Sequence, residues 1–359
     1  MHFGLTEEQD LLQNTVRDFA ASEVPAARLR EIFEEGSGYD DSIWRAASEI
    51  GVTGLFVPER YGGVDLSLLD LALVFECLGE YAVPGPFLGH SLATLALVTG
   101  GSDAQRERWL PGLASGEIIG SFAIAEGDAI WDPEDWALRI EGGVASGAKD
   151  FVEHATGAKL FVVGASDGQL ALVEADADGV SVTATEGLDR TRSLGRVSFD
   201  GAAADVLPGG PAAADAVADA GRILLAADAF GGAWKLIRAT VEYTLTRVQY
   251  GTPVAQFQGV KHQLANLAAE AEPMRGLIWY AAHAFDHIEK ERAHSAAVAK
   301  SHITDGAVDI ARACVELHGG IGFTWECDVQ FWLKRALFDR TWLGSPAWHR
   351  RRIANLGGL

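Results

Sequence analysis

Cysteine is scarce in this 359-residue chain. The three present, Cys77, Cys314 and Cys327, form no CxxC pair and no metal-type spacing. That excludes a disulfide-stapled scaffold or a zinc knuckle, and a reducing cytoplasm is the compartment expected. Long apolar runs are missing as well. "GRILLAADAFGGAW" is interrupted by Asp and Gly well short of a membrane span, and "MHFGLTEEQD" has no apolar signal core. Cations are few: 29 Lys plus Arg stand against 50 Asp plus Glu, a formal charge of −21. Nucleic acid and anionic membrane are thereby excluded as main partners, because both need a basic footprint. One shortage runs the other way. After Asp339 there is no acid at all, although that stretch holds Arg340, His349, Arg350, Arg351 and Arg352. A basic helix end favoured by the helix dipole accounts for the charge, not for the missing acid.

Apolar residues make up 48% of the chain, which excludes a mostly disordered protein. The length suits two or three structural units. Residues 1–120 read as helical. Thr6 and Gln9 form a T-x-x-Q capping box, followed by Leu12, Val16 and Phe19 at helical spacing. Between 121 and 210, "SFAIAE", "KLFVVGA", "QLALVEA", "GVSVTAT" and "GRVSF" are short β-rich runs separated by turn residues, which predicts a compact antiparallel sheet or barrel. "VLPGGPAAADA" reads as a linker. From 211 to 359 the helical period returns in three long runs, Ile223 to Val248, Val260 to Ile288 and Ile303 to Leu317, as in an up-down bundle. The fold class expected is α+β, mostly α: a helical segment, a small β-barrel or sandwich, then a helical bundle.

Some constellations point elsewhere and fail on context. "GHSLA" at Gly89–Ala93 and "HGGIG" at His318–Gly322 echo a hydrolase elbow and oxyanion segment. They come in the wrong order and without alternating strands and helices. His283 and His287 share a helix face, but no third ligand is evident and no metal site is expected. The stronger signal is a pair of segments, "RVQYGTPVAQFQGVKHQLANLA" and "ELHGGIGFTWECD". Arg247 ends one long helix, Gly251 marks a turn, and Phe257 with Gln258 opens the next. Gly319, Gly320 and Gly322 break the chain directly after a helix. Such glycines let backbone approach a ligand, and an Arg beside them suits a pyrophosphate. Two ordinary helix–helix turns would read the same way on physics alone.

Taken together, these segments resemble the acyl-CoA dehydrogenase family: R-x-x-[FY]-G, a Q-x-x-x-x-x-L helix running from Gln258 to Leu264, an H-G-G-x-G-[FY] turn, and "PERYGG" near the N-terminus. The resemblance covers essentially the whole chain. It implies FAD as cofactor and α,β-dehydrogenation of an acyl-CoA thioester: a carboxylate takes the α proton, the flavin takes the β hydride, and electron-transfer flavoprotein is the acceptor. It also implies FAD contacts from Arg247, Tyr250, Gly251, Phe257, Gln258, Leu264, Glu316, Gly319 and Gly320, with Glu316 where Gln is usual. Arg222 is implied as a substrate-site residue.

The departures from the pattern are as informative as the matches. The C-terminal turn that carries the family's Glu reads Trp342, Leu343, Gly344 here, and the alternative base position before Arg222 holds Gly221. No catalytic base is therefore expected in this chain. The flavin-facing segments depart too: "AIAEGDAIWD" replaces the usual strand, and "KDFVEHA" puts Phe151 and Glu153 where Trp and Thr are usual. A carboxylate at 153 would repel a reduced flavin unless protonated. Keeping one set of FAD contacts and losing the other resembles the short, base-lacking subunit of heteromeric α2β2 actinobacterial enzymes that act on steroid side-chain or other bulky acyl-CoA. A homologous Glu-bearing subunit is then the expected partner. Two alternatives stay open. One is a self-sufficient homo-oligomer with its base relocated to Glu153, Asp228 or Asp339. The other is a non-redox CoA-binding or structural relative.

Overall fold

The computed structural model describes residues 4–127 and 131–358. Among the described residues, α-helices come first: α1 (Glu7–Glu23), α2 (Ala26–Glu35), α3 (Asp41–Glu49), α4 (Leu68–Glu80), α5 (Phe87–Gly100) and α6 (Asp103–Ala114). Eight strands follow: β1 (Gly120–Ala123), β2 (Arg139–Glu141), β3 (Val144–Glu153), β4 (Leu160–Ala165), β5 (Gln169–Glu174), β6 (Val180–Thr185), β7 (Leu194–Ala203) and β8 (Asp205–Val206). Then come α7 (Gly210–Thr246), the short hairpin of β9 (Val248–Gln249) and β10 (Thr252–Pro253), α8 (Gln258–His287), α9 (Glu289–Leu317), α10 (Val329–Thr341) and α11 (Pro346–Leu356). The fold is α+β and mostly α, as the helical, β and helical patterning implied. The expected box at α1 is formed: Thr6 Oγ1 accepts from the Gln9 N–H, and the Gln9 side chain accepts from the Thr6 N–H. No described helix is long and apolar enough to cross a membrane.

The chain divides into two compact units, one of Met1–Glu31, Ala72–Val83 and Arg222–Leu359, the other of Ile32–Leu71 and Pro84–Gly221. The second unit contains two four-stranded sheets, ordered β1-β4-β5-β8 and β2-β3-β7-β6. Their inner faces share one core that includes Ala145, Val152, Phe161, Val163, Val173, Val197 and Phe199. The arrangement is a sandwich, but not an entirely antiparallel one. β1 pairs with β4 in parallel, Gly120 opposite Leu160. The chain leaves β1 to build β2 and β3 in the other sheet, and re-enters the first sheet in its original direction. β3 was not apparent as a strand because "VASGAKDFVE" breaks alternation, and it carries bulges at Ala145/Ser146 and Lys149/Val152.

In the first unit, α7 is buried on every side from Arg222 to Ala233. Ile223, Leu224, Leu225, Ala226, Ala227, Phe230, Ala233 and Ile237 are all buried. A helical stretch this rich in apolar residues has to be covered all round. Two boundaries differ from the sequence reading. Most of the supposed linker is helix, because α7 already begins at Gly210 and Pro211 fits a first helical turn. At the other end the helical period outlasts the helix: Leu245 and Val248 are exposed, and Val248 lies in β9.

Two glycines set the closeness of α4 and α7. A Cβ on Gly231 would sit 1.9 Å from the Glu76 carbonyl oxygen, and one on Gly79 would sit 2.0 Å from the Asp228 carbonyl oxygen. Backbone cannot yield there as a side chain would. Gly231→Ala is therefore expected to cost about 3 kcal/mol or more through overpacking, read as a drop in the denaturant midpoint. Gly276→Ala is the control, since nothing lies within 4 Å of its Cβ position.

Candidate functional site

The two segments singled out in the sequence meet in the first unit. α7 ends at Thr246, the β9–β10 hairpin reverses the chain through Tyr250 (φ 52) and Gly251 (φ 75), and Phe257 caps α8. α9 stops at Leu317 and turns through Gly319 (φ 66). Between them lies a cleft of ≈ 680 Å³ lined by residues that include Tyr243, Arg247, Tyr250, Phe257, Glu316 and Gly319–Ile321. Gly319, Gly320 and Gly251 have nothing within 4 Å of a Cβ position, so a ligand can reach their backbone. Tyr250 is 95% exposed and stands edge-on to Phe257, with ring centroids 6.4 Å apart. His318 is fixed beneath the turn: its Nδ1 bonds the Cys314 carbonyl at 2.8 Å, and its ring stacks on Tyr243. A guanidinium, bare glycine backbone and two accessible rings suit a pyrophosphate joined to a nucleoside. Glu316, exposed in the same cleft, opposes an anion. Gln258 and Leu264 lie on α8 but do not line the cleft.

The C-terminal turn between α10 and α11 is closed. Leu343 is fully buried with φ 57, and Gly344 has φ 102. Lys300 of α9, also fully buried, donates to the carbonyls of Arg340 (3.3 Å) and Gly344 (3.1 Å). His349 Nε2 donates to the Leu343 carbonyl at 2.9 Å. Arg222 is buried on α7 with its guanidinium over the Trp348 ring, 5.3 Å from the centroid. Burial holds the Lys300 ammonium down to about 7 against the pull of Asp339. Burial, then the Arg222 and Lys300 charges, hold His349 down to about 2. Gly221 is buried within α7 and offers no side chain.

The three carboxylates considered as relocated bases are all engaged in the fold. Asp228 is gripped by Arg335, through Nε at 2.8 Å and Nη2 at 2.7 Å, with both residues buried. Asp339 is fully buried and acts on Lys300. Glu153, at the end of β3, accepts from the Gly89 N–H at 2.5 Å and pairs with Arg192 at 3.3 Å. Arg192 also binds Asp189 at 3.0 Å. Nothing local in the sequence pairs Arg192 with Glu153, because Glu153 ends β3 and Arg192 lies in the loop before β7. Phe151 is partly exposed at φ 53. Residues 128–130 of "AIAEGDAIWD" lie outside the described residues. Among the described residues no group of three or more His, Cys, Asp or Glu could hold a metal. His283 and His287 are simply adjacent exposed rings, 4.6 Å between centroids.

Residues 6–117 match the model for the acyl-CoA dehydrogenase N-terminal domain, and residues 209–356 match that for the acyl-CoA dehydrogenase C-terminal domain. The protein is similar to the acyl-CoA dehydrogenase IpdE2 of Mycobacterium tuberculosis, 33% identical over 350 residues, covering 97% of this chain and 96% of the relative. Its Mycolicibacterium smegmatis counterpart is 31% identical over 353 residues, 97% and 98% of the two chains. Among solved structures, a variant of the Tcur3481-Tcur3483 steroid ACAD superposes with TM-score 0.91 at 31% identity, covering 98% of each chain. The ChsE4-ChsE5 complex from Mycobacterium tuberculosis gives TM-score 0.91 at 25% identity, covering 100% of this chain and 99% of that one. The chain belongs to the acyl-CoA dehydrogenase family. Members of that family are oxidoreductases acting on CH–CH groups with FAD as cofactor.

Three buried histidines set an acid limit. Burial holds His90 and His154 down to about 4, and His349 lies lower still. In the unfolded chain each takes a proton near pH 6.5, while the folded protein refuses it. Their contribution is present above pH 6.5 and lost as pH falls towards 4, on the order of 3 kcal/mol for each of His90 and His154. Denaturant midpoints are expected to decline between pH 6.5 and 5, and His154→Asn to reduce that slope.

Proposed function

We propose that this chain is the subunit of a heteromeric FAD-dependent acyl-CoA dehydrogenase that completes its partner's cofactor site and supplies no base of its own. The observation that carries the reading is the turn at Leu343 and Gly344. The family's base position there holds two residues that cannot take a proton, and Leu343 is fully buried. Gly221 leaves the alternative position empty. The relocated-base alternative loses support because Asp228 and Glu153 are held by Arg335 and Arg192.

The residues at the cleft fit the adenosine diphosphate half of FAD. Arg247 and the Gly319–Gly320 backbone would hold the pyrophosphate, and Tyr250 and Phe257 would flank the nucleoside. Gly251 gives the hairpin its turn, while Gln258 and Leu264 lie on α8 outside the cleft lining. Bound there, FAD would supply the hydride acceptor, and this chain's residues would bind and orient it. In this reading 1–120, 121–210 and 211–359 are the three domains, and Arg222, over Trp348 beside the base position, stays the candidate substrate-site residue. Similarity to IpdE2 and to a steroid ACAD supports a steroid-derived or other bulky acyl-CoA as substrate. The proposed partner is a homologous Glu-bearing subunit, and the proposed acceptor is electron-transfer flavoprotein.

Purified alone, the chain is expected to carry little flavin. Co-expressed with its Glu-bearing partner, it should give about one FAD for every two chains. A yellow homo-oligomer that turns over acyl-CoA would overturn the reading. Within the complex, Arg247→Ala should weaken FAD retention at least about tenfold, as loss of a charge-assisted contact. Glu316→Gln should tighten it, because a like charge leaves the cleft; equilibrium dialysis against FAD reads both.

A further inference from the structure

The turn at 341–345 is more than a base position that has lost its acid. Resting on the reading above, we propose that Lys300 and His349 are positioning residues that hold this turn closed, so that a carboxylate returned to position 343 or 344 would face packed protein and not a ligand. Two of its carbonyls, and a third in the last turn of α10, are gripped from two helices. Lys300 of α9 takes Arg340 and Gly344, and His349 of α11 takes Leu343. Lys300 and His349 are both fully buried. The turn's other bonds extend the grip: the Trp342 N–H donates to the Phe338 carbonyl at 3.0 Å, and Ser345 Oγ accepts from the Trp348 N–H at 3.3 Å to cap α11.

Backbone geometry fits this reading. A leucine at φ 57 is strained, and such a conformation persists only where the surroundings over-determine it. The three grips provide that. Its side chain is fully buried, so a longer acidic one at 343 inherits an interior position. At 344 there is no room at all: a Cβ would meet Trp348 Cε3 at 2.8 Å and His349 Nε2 at 3.0 Å. Trp348 has little freedom to retreat, since the Arg222 and Arg352 guanidinium groups lie 5.3 Å and 5.6 Å from its ring centroid. Asp305 adds an outer tie between α9 and this corner, binding Arg340 at 2.8 Å and Arg350 at 3.2 Å. The former base position has become the clamp that docks α11 on α9.

The test uses the full chain and needs no flavin. Leu343→Glu and Leu343→Gln are compared by denaturant midpoint at pH 8 and pH 5. An interior carboxylate makes Leu343→Glu clearly the weaker of the two at pH 8, with the gap closing at pH 5 as it takes a proton. A Leu343→Glu chain as stable as wild type at both pH values would mean that the side chain reaches open space, and the proposal would fall. In case Leu343→Glu does not fold, brief native trypsin digestion reads the grip itself. Lys300→Met and His349→Phe should speed cleavage after Arg340 at least tenfold, with cleavage after the exposed Arg247 unchanged as internal control. His349→Gln, which keeps an N–H donor, should restore resistance. Unchanged cleavage after Arg340 in both Lys300→Met and His349→Phe would equally sink the proposal. A wild-type chain that alone turns over acyl-CoA would overturn the proposed function, and neither of these assays reads that outcome.

Discussion

A helical stretch buried on every side imposes the main constraint on the helical unit. Once Arg222 through Ala233 of α7 are covered on all sides, the two charged residues of that stretch, Arg222 and Asp228, are inside the protein. Leaving either unpaired would cost several kcal/mol, more than most single contacts return. The bond from Arg335 to Asp228 therefore fixes α10 against α7, and the Arg222–Trp348 contact fixes α11. The acid-free tail follows from the same constraint. Its Arg340 and Arg350 are used on Asp305, its His349 is kept neutral, and an additional carboxylate in the turn would have to displace Leu343 from the interior.

Much of this was legible in the sequence where the signal is local. The capping box at Thr6 and Gln9, the 3–4 spacing of α8 and α9, and the turn glycines at 251 and 319 act within a few residues of themselves. The cleft was legible for a related reason. Each of its two segments carries a compact motif, so Arg247, Tyr250, Glu316 and Gly319 could be named before it was known that the fold brings them to one cleft.

What escaped was settled at long range. Lys300 looks like any helix lysine until α10 and α11 fold back 40 to 44 residues later and place two carbonyls on its ammonium. Arg192 ties Glu153 into a buried cluster that Asp189 shares, and nothing near Glu153 announces it. β3 hid because its bulges break the alternation that identifies a strand, and the parallel pairing of β1 with β4 depends on a crossover through the second sheet. Period alone also ran past the end of α7, since a heptad-like stripe does not say where the helix stops.

The distribution of charge bears on how the molecule meets others. Arg350 and Arg351 are exposed on α11 at the end of a chain carrying −21 overall. Two such chains approaching each other feel net repulsion over roughly 10 Å at 0.1 M salt. Encounter between like chains is thus slowed at low ionic strength and hastened by salt, whereas a partner of opposite charge shows the reverse dependence. The charge balance acts as a kinetic filter, selecting which collisions last long enough to become an assembly.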